Sequence, residues 1–120
     1  MILLIETATE VCSVCLEDKG RLLAIEEFGE GYNHAEKLTV MIETVLKTAQ
    51  VSFKDLDAVA VSKGPGSYTG LRIGASVAKG LCFALEKPLI ALSTLKSIAN
   101  NFLLQPETSD LKPQTNLNAI

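Results

Sequence analysis

No run of about 18 apolar residues occurs in this sequence, and no basic-then-apolar leader opens it, so the signals of a membrane span and of a secretory peptide are lacking. Lysine and arginine are nowhere gathered into a patch. Together they number 11 against 14 acidic residues, for a net charge of −3. A protein that grips nucleic acid directly draws most of its affinity from neutralising phosphates, so direct binding of a nucleic acid is not expected. Histidine occurs once, as His34. A metal site needs three or four ligands, which places His34 on the surface or at an interface. No nucleophile–base pair stands out around it. Cysteine is sparse and odd in number, with Cys12, Cys15 and Cys82. Positions 12 and 15 of one strand point to opposite faces, so neither a redox pair nor half a zinc site is natural there. Buried structural thiols in a reducing cytoplasm are expected instead. No internal repeat is present.

What the chain does have is apolar residues, 48% of its 120. That suffices for one domain with a proper core and is too much for a disordered chain. Residues 2–5 read as a strand, interrupted by Thr7-Ala8-Thr9-Glu10. A second strand resumes at 11–17 with β-branched Val11 and Val14. Asp18-Lys19-Gly20 supplies a turn, and 21–28 reads as a third strand, making an antiparallel meander. Asn33 and Glu36 form a capping box ahead of Ala35, Leu38, Met41, Ile42, Val45, Leu46 and Ala49, which recur at helical spacing. Ser52 and Asp55 repeat the capping pattern on a short turn. A fourth strand at 57–62 runs into a glycine-rich stretch. A second helix follows to about residue 86, stopped by Lys87-Pro88. Residues 89–92 make a fifth strand, and Ser93 or Thr94 caps a third helix to about residue 104. Residues 105–116 are polar, and 117–120 turn apolar again like the start of another strand. A meander followed by alternating helices and strands is an α/β arrangement with a mixed sheet and right-handed crossovers.

Residues 64–74 read Gly-Pro-Gly-Ser-Tyr-Thr-Gly-Leu-Arg-Ile-Gly. A glycine-rich loop between strand and helix can aim backbone N–H groups at phosphate. This one lacks the Gly-Lys-Ser/Thr ending of a P-loop, and Gly66 followed by Gly70 breaks dinucleotide-fingerprint spacing. Two readings stay open: a phosphate loop, or a tight turn ahead of a closely packed helix. The stretch closely resembles the motif of the TsaB (YeaZ) family of the actin-like ATPase superfamily. Residues 2–14 resemble that family's first hairpin, 33–38 its first helix, and 56–61 the strand ahead of the glycines. The resemblance covers residues 1–104.

The resemblance implies an actin-like (RNase H-like) lobe at 1–104, a five-stranded mixed sheet with three helices. Residues 105–120 would be a polar connector and the start of a second, similar lobe. It implies a non-catalytic scaffold subunit required for threonylcarbamoyl-adenosine modification of tRNA, binding and supporting the catalytic subunit TsaD. ATP and metal would sit on partner subunits, with no cofactor on this chain. A homodimer in isolation, tRNA contact only through the complex, a cytoplasmic location and no membrane belong to the same expectation. Two departures matter. Actin-like folds usually start with an acidic residue, most often Asp, that helps position a phosphate-bound metal; here it is Glu6, for which a hydrogen-bonded acid at a strand end is the plain alternative. TsaD carries two metal-binding His four apart on one helix; here the position four after His34 is Leu38, which removes the basis for a M22 glycopeptidase label. Glu6, Thr7, Gly64, Gly66 and Ser67 remain candidates for a vestigial phosphate site. The alternative function is a nucleotide-binding kinase-like or glycopeptidase-like enzyme fragment.

The second helix is apolar over about twice the 100° that one-sided packing needs. Arg72, Ser76 and Lys79 form its polar stripe. Leu71, Ala78, Leu81, Cys82 and Leu85 suit the sheet, and Ile73, Val77, Gly80 and Ala84 form a second apolar half. The first helix could cover that half within the domain; TsaB-like proteins are known for helical pairing of this lobe with themselves and with TsaD. Ile73, Val77, Gly80 and Ala84, with His34 and Met41, are the interface candidates.

Overall fold

Alternation of apolar side chains builds the first three strands, β1 (Ile2–Glu6), β2 (Cys12–Asp18) and β3 (Arg21–Phe28). Leu3 and Ile5 face the same way as Val14 and Leu16, their register partners on β2. The two-residue turn after β2 uses Lys19 and Gly20, both with positive φ, which matches the right-handed twist of a tight hairpin. The structure, a computed structural model, describes residues 1–8, 11–29, 35–66 and 68–93.

From β3 the chain passes to α1 (Ala35–Ala49), a short 3-10 turn (Phe53–Asp55), β4 (Ala58–Ser62), α2 (Tyr68–Leu85) and β5 (Leu89–Leu92). Ser52 donates its backbone N–H to Asp55 Oδ2 at 2.9 Å, as the repeated capping pattern requires. The sheet order is β3-β2-β1-β4-β5. The β1–β2 and β2–β3 pairs are antiparallel; β1–β4 and β4–β5 are parallel. β4 is buried along its whole length, as a central strand with parallel neighbours on both sides should be. Leu3, Ile5, Val14, Leu16, Val59 and Val61 meet Leu38, Ile42 and Val45 of α1 and Ala78 of α2 in one core.

Strand bounds read from the sequence lie within one residue of those observed. The second helix differs more. It begins at Tyr68, so Gly70 and Gly74 are helical and the turn is much shorter than 64–74. Met41 is also corrected. It is only 6% exposed within the core cluster, because it lies on the same buried stripe as Leu38, Ile42 and Val45, and it offers no surface to a partner. The third helix, the Asn33 cap and residues 105–120 lie outside the described residues. No helix among the described residues is long and apolar enough to cross a membrane.

Candidate functional site

Two places carry the predicted site residues. The first is the C-terminal end of β1. Glu6 ends the strand half-buried, and its Oε2 accepts the Ala8 backbone N–H at 3.1 Å. The Ser62 side chain at the end of β4 gives a second hydrogen bond. Burial pushes the Glu6 carboxyl above its usual pKa, and these two hydrogen bonds only partly offset that. Thr7 is fully buried, and its hydroxyl has no hydrogen-bond partner among the described residues. Gly64 has φ +108, which favours glycine, and packs near Leu71. Gly66 and Gly74 press on Ala8 and Thr7 respectively. Ser67 lies outside the described residues.

The Glu6 shift has a sign that can be checked. A carboxyl whose folded pKa is raised holds its proton more tightly when folded, so its ionisation costs stability above that raised pKa, and the cost fades as pH falls through it. Glu6→Gln keeps an acceptor for Ala8 and removes the charge. The variant should melt above the wild type at pH 7, with the gap shrinking as pH is lowered toward 4 in a thermal-denaturation series. A variant that melts lower at pH 7 would show that ionised Glu6 is net stabilising.

The fold family implies a nucleotide with a metal at this strand end, and the residues present do not fit one. The Ala8 N–H is spent on Glu6. A Cβ on Gly66 would lie 2.6 Å from Ala8 Cβ and closer still to the Ala8 carbonyl oxygen, so backbone already fills the space over the turn. The space that the orphan Thr7 hydroxyl faces is taken by Gly74. No group of three His, Cys, Asp or Glu among the described residues could hold a metal ion.

The second place is the outer side of α2. Ile73 and Val77 are half-buried and pack against the core cluster, while Gly80 and Ala84 are exposed. The predicted second half is therefore split between this chain's own core and solvent. Sequence reasoning missed Phe83, which is 87% exposed. It follows Ser76 by seven residues and Lys79 by four, so it stands in the polar stripe itself. An aromatic residue in that stripe was the available signal. Val40 of α1, 58% exposed, is a second large apolar side chain in solvent. His34 lies outside the described residues.

A five-stranded mixed sheet in this order, with α1 and α2 as crossovers, makes the chain an actin-like α/β lobe. It matches the TsaD family, tRNA N6-adenosine threonylcarbamoyltransferase, over residues 30–117. It is 42% identical over 98 residues to the tRNA threonylcarbamoyladenosine biosynthesis protein TsaB of Escherichia coli strain K12, which covers 82% of this chain and 42% of that protein. It is also 42% identical over 81 residues to a tRNA N6-adenosine threonylcarbamoyltransferase of Clostridium kluyveri, covering 67% of this chain and 23% of the relative. The solved structure of YeaZ from Pseudomonas aeruginosa superposes with a TM-score of 0.77 at 39% identity, over 83% of this chain and 46% of that one. The chain belongs to this threonylcarbamoyladenosine family, in its TsaB (YeaZ) branch. It spans less than half the length of the TsaB and YeaZ proteins it matches here.

Proposed function

We propose that this chain is a non-catalytic scaffold subunit in the threonylcarbamoyl-adenosine modification of tRNA, binding and supporting a TsaD-type catalytic subunit. The observation that carries the reading is Phe83, a nearly fully exposed aromatic beside exposed Gly80 and Ala84 on α2. Exposed aromatic side chains beside small residues suit close helix-to-helix contact, and aromatic residues supply much of the energy at protein interfaces. The E. coli relative's part in making threonylcarbamoyladenosine supports the pathway. In isolation the same surface pairs two copies of the chain. ATP and metal belong to the partner subunits, and tRNA is reached through the complex, in keeping with the net charge of −3.

The test is co-purification of this chain with the TsaD-type protein of its own source, together with an ATP-hydrolysis assay on the chain alone. A stable complex and no turnover are expected. Turnover that survives repurification and vanishes in Glu6→Ala would overturn the non-catalytic assignment. Absence of any complex would overturn the scaffold role.

A further inference from the structure

We infer that the glycine-rich segment is a packing latch that seats α2 on the end of β1, and that it does not form a phosphate-binding loop. Two contacts carry this. Gly66 lies so close to Ala8 that a Cβ there would stand 2.6 Å from Ala8 Cβ and 3.0 Å from its carbonyl carbon. Gly74, one turn into α2 from Gly70, faces Thr7 so closely that a Cβ would clash with the Thr7 hydroxyl oxygen and come within 3.4 Å of Thr7 Cβ and Cγ2. Both contacts fix helix and turn to the same two residues, Thr7 and Ala8, which are themselves buried.

A loop that binds phosphate keeps its N–H groups aimed at open space. Here the Cα of Gly66 is packed against the Ala8 backbone, which leaves no room between them for a ligand, and the Ala8 N–H is taken by Glu6. The buried Thr7 hydroxyl has no hydrogen-bond partner among the described residues, a cost that the close packing against Gly74 has to offset. Gly66 and Gly74 are thus accounted for by contacts inside the chain.

Gly80 supplies an internal control. It is exposed in the middle of the same helix, and a Cβ there would meet nothing within 4 Å. Alanine is the better helix former by about 1 kcal/mol, so at concentrations dilute enough to keep the chain unpaired Gly80→Ala should raise the melting temperature by a few degrees. If Gly74 were an ordinary helical glycine, Gly74→Ala would do the same. The latch gives the opposite sign.

The experiment is thermal unfolding of the full chain by circular dichroism for Gly66→Ala, Gly74→Ala, Gly80→Ala, Thr7→Ala and Thr7→Ala/Gly74→Ala, with and without millimolar ATP and magnesium. Gly66→Ala and Gly74→Ala should melt about 5–10 °C below the wild type, and Gly80→Ala above it. The loss caused by Gly74→Ala should be smaller in the Thr7→Ala background, because the clashing hydroxyl is gone. If Gly74→Ala fails to fold alone, recovery of a folding transition in the double variant reads the same coupling. ATP should leave the wild-type melting temperature unchanged. A rise of Gly74→Ala parallel to that of Gly80→Ala, equal effects of Gly74→Ala in both Thr7 backgrounds, or an ATP-induced rise that Gly66→Ala removes would each overturn the latch.

Discussion

Phe83→Asp is expected to leave this chain folded and to abolish its association, both with itself and with a TsaD-type partner. The side chain is 87% exposed, so the fold gains nothing measurable from it, and surface substitutions of this kind change stability by about 0.5 kcal/mol or less. At an interface the balance is different. Truncating an aromatic anchor costs about 2 kcal/mol or more, and a carboxylate left there without a partner adds its desolvation. Together these weaken binding by about 100-fold or more. Val77→Asp is the less clean probe. Val77 packs against this chain's own core, so its loss of association would be mixed with loss of fold. Light scattering reads the self-association, co-purification reads the partner, and circular dichroism confirms the fold. A folded Phe83→Asp chain that still pairs with wild-type affinity would remove α2 as the docking surface.

The strands were legible as short apolar runs bounded by turn residues. Lys19-Gly20 sits where a two-residue hairpin needs positive φ. α1 was legible from one apolar stripe, and that same stripe should have kept Met41 out of the interface set, since its spacing places it with Leu38, Ile42 and Val45. The start of α2 was not legible. Local propensity counts Gly70 and Gly74 against a helix, whereas the close approach of Thr7 demands glycine at position 74. A contact between residues far apart in sequence overrides propensity, and no pattern within either segment announces it. Glu6 illustrates the same limit. Its type and its place at a strand end were readable, but its hydrogen bond to Ser62 depends on β1 and β4 lying side by side.

Leu38→Ala is expected to produce the largest loss of stability among single truncations of α1. Leu38 is 1% exposed and among the largest fully buried side chains. It belongs to the core cluster that also holds Val14 and Leu16 of β2 and Leu3 and Ile5 of β1. Removing a buried leucine side chain loses its transfer free energy and leaves a cavity that the surroundings fill only in part, for a cost of about 2–5 kcal/mol. The site has little freedom to collapse. On the sheet side α1 lies over the antiparallel β2–β3 pair, and on the helix side Ile42 and Val45 are themselves buried. The loss should therefore fall in the upper half of the range and lower the melting temperature by about 10–15 °C. Val40→Ala on the same helix is the comparison, because Val40 points into solvent and should leave stability within about 0.5 kcal/mol of the wild type. Urea unfolding monitored by circular dichroism measures both. Equal midpoints for the two variants would mean that α1 is not held to the sheet through Leu38, and the single core described here would be wrong.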